Sequence, residues 1–196
     1  MYREFHQIGR DLFIQGLNSS HSGNMSVRLG DRIVITRRGS MLGNLREADL
    51  IETGLYKNDS RIILASTEIN VHRAIYQNTS ALAIVHAHPV YATALSLVDD
   101  EIIPIDSEGQ YLLHKIPVAS FEHTVGSDEV ARLLPEYLKE YKLVMIRGHG
   151  SFAIGQLIEE AYQWTSSLEN ISKIIYLTRT LNGEVKDKKS EKYNQW

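Results

Sequence analysis

Apolar positions in the first segment fall at helical steps. Phe5, Ile8, Leu12, Phe13 and Gly16 recur every three or four residues, which predicts an amphipathic helix over residues 2–17 that ends near Gly16 and Asn18. The period then drops to two. Asn24-Met25-Ser26-Val27-Arg28-Leu29 alternates polar and apolar, and Gly30-Asp31 turns it into Arg32-Ile33-Val34-Ile35-Thr36, the pattern of a β-hairpin. Residues 50–53 and 61–64 read as two further short strands around Lys57-Asn58-Asp59-Ser60. Ser66 stands as an N-cap before a helix running to about Tyr76. The apolar run from Ala81 to His88, stopped by Pro89, reads as a buried strand. After it come a short helix over 91–97, short strands and turns over 101–118, and a helix over 127–141. A strand over 143–146, an apolar Phe152-Ala153-Ile154 and a long helix over 158–181 close the pattern. Strands and helices interleave without repeats or linkers, which predicts one α/β domain over residues 1–185 and a charged tail over 186–196.

Composition narrows the chemistry. With 43% hydrophobic and 23% charged residues among 196, the chain has the makings of a packed core. Twenty-one basic residues against 24 acidic ones leave a formal charge of -3, which supplies no general attraction for nucleic acid. The N-terminus Met1-Tyr2-Arg3-Glu4-Phe5-His6 lacks the apolar core of a signal peptide, and no stretch reaches the ~18 apolar residues of a membrane helix. The expected location is the cytoplasm, with neither membrane nor nucleic acid as partner. There is no cysteine, so disulfides, thiolate metal sites and cysteine nucleophiles are excluded. A transition-metal site must be built from the eight histidines and the carboxylates.

Three histidines suit that role. His86 and His88 are two apart on the predicted strand, so both imidazoles leave the same face, and Pro89 places them at its end. Ligand crevices open at strand ends in α/β folds. His149 follows the strand over 143–146 and lies between Gly148 and Gly150, on a turn where backbone freedom lets other groups approach closely. Any one of the three is compatible with a packing role; together they form a candidate metal site. Glu68, in Ser66-Thr67-Glu68, falls in the first turn of a helix. A carboxylate there serves the helix dipole in any protein, but the same turn offers hydroxyls and free N–H groups to an anion. His72, one turn further on, reads as a packing or supporting histidine. The turns Ser22-Gly23-Asn24 and Arg37-Arg38-Gly39-Ser40 could each cradle a phosphate through backbone N–H groups, although neither matches a P-loop or dinucleotide fingerprint.

Taken in order, Ser22-Gly23-Asn24-Met25-Ser26-Val27-Arg28, Thr36-Arg37-Arg38-Gly39, Ser66-Thr67-Glu68, Val85-His86-Ala87-His88-Pro89 and Gly148-His149-Gly150 resemble the class II aldolase/adducin family. The resemblance runs from about residue 5 to about residue 180. It implies a three-layer α/β/α domain with a mostly antiparallel central sheet, assembled as a homotetramer with sites between subunits. It further implies Zn²⁺ held by His86, His88 and His149, and by Glu68 as a fourth ligand when substrate is absent. Glu68 would be the catalytic acid/base, and Gly23, Asn24, Arg38, Gly39, Ser66 and Thr67 would hold a substrate phosphate. The family's phosphate turn usually reads Thr-Pro-Ser/Thr-Gly, where this chain has Arg37 and Arg38; a guanidinium binds phosphate bidentately. A second acid/base would come from a neighbouring subunit, with Glu108 and Tyr111 as candidates, and Tyr193 of the tail as a further tyrosine.

The resemblance therefore implies a zinc-dependent aldolase that cleaves a phosphorylated ketose to dihydroxyacetone phosphate and an aldehyde. The same scaffold also carries methylthioribulose-1-phosphate dehydratases, sugar-phosphate 4-epimerases and the non-catalytic adducin-like assembly domains. Those dehydratases generally lack a carboxylate at the position of Glu68, which favours the aldolase, while Glu108 lies near their acid/base. Three imidazoles at metal spacing have no part in a pure assembly domain.

Overall fold

A computed structural model describes residues 1–181 of the chain. The alternation at Asn24–Leu29 (β1) and Arg32–Thr36 (β2) becomes the hairpin it predicts, in antiparallel register with Ser26 opposite Ile35. Leu50–Gly54 (β3), Ala83–Ala87 (β4), Glu101–Ile102 (β5), Ile116–Ala119 (β6), Leu143–Ile146 (β7) and Gly150–Gly155 (β8) complete an eight-stranded sheet in the order β3-β2-β1-β4-β8-β7-β6-β5. Only the β6–β7 pairing in it is parallel. The helices are Tyr2–Ile14 (α1), Ile69–Asn78 (α2), Val90–Ser96 (α3), Ser107–Leu113 (α4), Asp128–Leu138 (α5) and Ile158–Thr180 (α6).

These helices form one layer on each face of the sheet. Phe5, Ile8 and Leu12 of α1, Leu95 of α3, Leu113 of α4 and Leu168 and Ile171 of α6 share one core with Met25, Val85 and Met145. Val71 and Ile75 of α2 and Val130 and Leu134 of α5 share the other with Ile35, Ile84, Val144 and Phe152. The three-layer α/β/α domain with a mostly antiparallel sheet is therefore as expected. Strand β4 shows how the layers orient the chemistry: Ala83, Val85 and Ala87 face one core and Ile84 the other, so His86 emerges on the α2–α5 side. Each wholly buried aliphatic or aromatic side chain contributes about 1.5–3 kcal/mol. A one-residue slip would exchange the two faces, so burial of Ile84 and Val85 fixes the direction of the histidines.

Three expectations are corrected. Residues 62–64 form a single 3-10 turn rather than a strand, with Ile63 and Leu64 exposed, so their apolar character reflects no sheet position. The helix expected to start at Ser66 starts at Ile69; Ser66 instead accepts the Glu68 N–H on its Oγ at 3.3 Å, closing the turn that precedes the helix. The segment 101–118 contains α4 between its strands. Asp106 caps that helix by accepting the Gly109 N–H at 2.8 Å, and Gly109 lets it lie against Ile171 of α6, where a Cβ would come within 2.7 Å. The predicted tail over 186–196 and Tyr193 lie outside the described residues. No described helix is long and apolar enough to cross a membrane.

Candidate metal centre and anion pocket

The strand end after β4 and the turn between β7 and β8 bring the three histidines together. His86 is buried and stacks on Phe152 of β8 with ring centroids 4.1 Å apart. Its Nδ1 lies 2.9 Å from the Ser151 carbonyl, and a carbonyl only accepts, so the proton sits on Nδ1 and the lone pair on Nε2 faces the cavity. His88 brings its Nε2 to 3.0 Å from that atom. His149 closes the group with ring centroids 5.0 Å from both partners, and one ligand atom from each residue lies within 4.8 Å of the others.

Glycine makes the approach feasible. Gly148 has φ +66°. A Cβ at Gly150 would lie 2.4 Å from the Ala87 carbonyl oxygen, 2.9 Å from the His88 ring and 3.2 Å from the His86 ring. Arg147 pins the turn from outside, donating to the Ser96 carbonyl at 2.6 Å, the Ser120 hydroxyl at 2.8 Å and the Asp100 carboxylate at 2.5 Å. Behind His88, Glu169 of α6 accepts the Tyr91 and Ala92 N–H groups at 3.0 Å each, anchoring the start of α3.

Burial keeps these imidazoles neutral. It holds His86 well below its ordinary range, with His88 and His149 adding repulsion of any positive charge. His88 is lowered to about 4 by burial and by His149, and burial lowers His149 as well. Neutral imidazole is the form that ligates a metal. Two ring nitrogens sharing a tetrahedral ion at about 2.0–2.1 Å stand roughly 3.3 Å apart, close to the spacing of His86 and His88. Three such donors with no thiolate fit a divalent transition metal with an open coordination position.

Glu68 stands beside them, 3% exposed. Its Oε1 accepts the Gly126 N–H at 3.0 Å, whereas its Oε2 is buried without a partner among the described residues. Burial raises the carboxyl to about 7, with the Gly126 bond pulling it back toward the ionised form. A carboxyl poised near neutrality can both take and return a proton. His72, one turn along α2, is wholly buried and does not line the cavity. Its Nδ1 lies 2.7 Å from Ser26 Oγ, which also meets the Tyr76 hydroxyl at 2.7 Å, and burial lowers it to about 3.

The anion end follows from strand register. Asn24 on β1 pairs directly with His86 on β4, so the Gly23-Asn24 turn opens beside the imidazoles. Gly23 has φ +75°, and a Cβ there would strike the Asn18 side chain, whose Oδ1 accepts the His88 N–H at 3.0 Å. Past β2, Arg38 N donates to the Leu64 carbonyl and Ser66 N to the Thr36 carbonyl. These bonds draw Ser66 and Thr67 against Arg38 and Gly39. The two arginines of this turn divide their work. Arg37 is committed to Asp49 at 2.8 Å, while the Arg38 side chain is exposed and makes no ion pair among the described residues.

A cavity of about 170 Å³ unites Gly23, Asn24, Arg38, Gly39, Ser66 and Thr67 with Glu68, His86, His88 and His149. Larger depressions of about 500 and 340 Å³ lie near β5 and near the start of β7, but neither gathers such donors. Glu108 and Tyr111 are elsewhere: both sit on α4, and Glu108 borders a separate hollow with Asp106 and Ser166. The cavity also includes Ser22, Arg37 and Ser40 of the two glycine-bearing turns, together with His21 and Val125, which the motifs did not single out. Val125 and Gly126 precede Ser127 and Asp128, a helix-start pair that marks the loop as the mouth of α5.

A mostly antiparallel sheet between helical layers thus carries, at one strand end, three imidazoles that could hold a metal ion and a buried carboxylate beside them. The chain belongs to the family of class II aldolase and adducin N-terminal domains, whose model matches residues 3–176. It is 35% identical over 162 residues to the L-fuculose phosphate aldolase of Methanococcus maripaludis strain C7, a match spanning 81% of this chain and 87% of that one. Over 189 residues it is 31% identical to the 3-oxo-tetronate 4-phosphate decarboxylase of Haemophilus influenzae, spanning 91% of this chain and 86% of the relative. Among solved structures, the L-fuculose-1-phosphate aldolase of Thermus thermophilus superposes with a TM-score of 0.88 at 37% identity, covering 95% of this chain and 97% of that chain. The family, fold and enzyme class implied by the motifs are thus established.

Proposed function

We propose that the protein is a zinc-dependent aldolase that reversibly cleaves a ketose 1-phosphate, of the L-fuculose-1-phosphate kind, to dihydroxyacetone phosphate and an aldehyde. The observation that carries this reading is one cavity holding three neutral imidazoles, a buried carboxylate with one oxygen unpartnered among the described residues, and glycine-bearing turns whose Arg38 makes no ion pair among those residues. His86, His88 and His149 would hold the ion, with Glu68 a fourth ligand in the substrate-free state. When bound, zinc supplies a Lewis acid that draws charge from the substrate carbonyl and its adjacent hydroxyl. Gly23 with Asn24, Arg38 with Gly39, and Ser66 with Thr67 hold the phosphate. Glu68 moves the proton at the carbon next to the carbonyl: it returns that proton in the cleavage direction and removes it in the condensation direction.

Cleavage also needs a group to take the hydroxyl proton of the carbon that leaves as aldehyde. Glu108 and Tyr111 would supply it from a neighbouring copy in a homotetramer, since neither lines the cavity of its own chain. The proposed setting is the cytoplasm, with no nucleic-acid or membrane partner. A second reading has its own support in the 3-oxo-tetronate 4-phosphate decarboxylase relatives. Loss of carbon dioxide from a 3-oxo acid likewise leaves negative charge next to a carbonyl, which the same donors would stabilise.

Metal analysis of the purified protein, followed by turnover of a panel of ketose 1-phosphates and a 3-oxo-tetronate 4-phosphate, tests the proposal. One equivalent of zinc and release of dihydroxyacetone phosphate are expected. Carbon dioxide release alone would select the decarboxylase, and epimerised or dehydrated product without dihydroxyacetone phosphate would select the 4-epimerase or dehydratase. Absence of metal and turnover would point to an assembly domain.

A further inference from the structure

We infer that Gly126 is a positioning residue of this site: its N–H holds Oε1 of Glu68, which leaves Oε2 as the oxygen that carries the proton. The inference rests on Glu68 being the proton-transfer group.

The two atoms meet because two helices pack. Val71 and Ile75 of α2 share a core with Val130 and Leu134 of α5, which brings the starts of both helices together. Glu68 immediately precedes α2, and Gly126 immediately precedes the α5 N-cap Ser127. The loop between β6 and α5 is tied down on its own side. Ser127 Oγ accepts the Val130 N–H at 3.1 Å and donates to the His123 carbonyl at 2.6 Å, while Glu129 accepts the Glu122 N–H at 2.9 Å. Gly126 is therefore presented from a braced platform.

Only glycine suits the position. Its φ is +57°, and a Cβ there would lie 3.0 Å from the Thr67 carbonyl oxygen. A side chain at 126 would press on the segment that supplies Thr67 to the anion pocket and Glu68 to the carbonyl end. A carboxylate with both oxygens unbound turns about its last torsion. One 3.0 Å bond to Oε1 fixes that plane and leaves Oε2, buried and unpartnered, as the free lone pair. Because Gly126 acts through its backbone, no side-chain motif announces it.

The test replaces the Val125–Gly126 amide with an ester, which deletes this N–H and adds no atom to the loop. Exchange of the dihydroxyacetone phosphate α-proton with solvent and kcat are both expected to fall about ten- to a hundredfold, the value of one hydrogen bond to a charged group. KM and metal content should be unchanged. In a Glu68→Gln background the ester should cost nothing further, the signature of a residue acting through Glu68. Gly126→Ala, which also displaces Thr67, should raise KM as well as lower kcat. Wild-type exchange in the ester protein while Glu68→Gln is slow would overturn the role of Gly126 alone, as would equal losses in both backgrounds. Wild-type exchange in Glu68→Gln would overturn the underlying reading and this inference with it.

Discussion

The end of β4 and the helix α4 hold the two sets of candidate catalytic groups, and they behave oppositely. At the β4 end, strand register and glycine turns leave little choice: Asn24 lies opposite His86, Gly150 lies under both strand histidines, and Glu68 is clamped by Gly126. On α4, Glu108 and Tyr111 do not line that cavity, and Tyr111 is 40% exposed. The contrast teaches that one chain gathers the candidate metal and anion ends of the site, while Glu108 and Tyr111 would complete the proposed proton inventory only from a neighbouring copy. Chemistry placed by burial is complete within the fold; chemistry placed on a surface helix acquires meaning only through what docks against it.

The largest effect is expected at the buried end. His149→Ala should lose its metal on dialysis and its activity with it, as should the same change at His86 or His88; stoichiometric metal retained in His149→Ala, measured by elemental analysis, would break the three-ligand site. Next comes the α4 end. A Glu108→Gln/Tyr111→Phe chain and a Glu68→Gln chain should each be inactive alone, yet recover roughly a quarter of wild-type turnover when co-expressed, because random mixing restores one complete site in four across a head-to-tail interface. No recovery in confirmed hybrids, or full activity of the α4 variant, would erase the contrast. A smaller effect belongs to the anion turn. Arg38→Gln should raise KM about tenfold with kcat little changed, the loss of one charge-assisted contact made equally in ground and transition states. Arg37→Gln should chiefly cost stability, since that arginine already serves Asp49.

The smallest effect lies beneath the site. His72 is neutral in the fold, with burial lowering it to about 3 from an ordinary 6.5. The unfolded chain therefore takes up a proton below pH 6.5 that the folded chain refuses. Stability of the metal-free protein should fall as pH drops from 6.5 toward 3, by roughly 1.4 kcal/mol per pH unit from this residue. His72→Asn should flatten the curve by that slope in urea titrations at pH 5.5 and 4.5; an unchanged slope would show that His72 is protonated within the fold.

Where periodicity and chemistry coincide, the sequence was readable. The alternation of residues 24–36 and the apolar run ending in His86-Ala87-His88 gave β1, β2 and β4 within a few residues, because each strand has one unmistakable pattern of burial. The ten residues expected at the metal and anion ends share one cavity, since glycines, histidines and hydroxyls leave a visible signature. Helix α4 was obscured by Gly109 in its interior and by flanking prolines at 104 and 117, which read as turn residues until the Asp106 cap and the packing on Ile171 are seen. Ile62-Ile63-Leu64 misled in the other direction: Ile62 packs against the α2–α5 core, but Ile63 and Leu64 are apolar yet exposed. Gly126 escaped because a backbone N–H is common to every residue but proline. Its role depends on where α5 begins relative to α2, a tertiary fact that no local window contains.

The central claim is that Glu68 transfers the proton rather than merely closing a helix start. Solvent exchange of the dihydroxyacetone phosphate α-proton, followed by NMR in a folded and metal-loaded Glu68→Gln protein, isolates that step from the aldehyde half of the reaction. A helix-start carboxylate would cost about 0.3–1 kcal/mol of stability and leave exchange intact. The account predicts instead that exchange falls by about 10²–10⁴-fold while metal content and phosphate affinity persist, and exchange at the wild-type rate would contradict it.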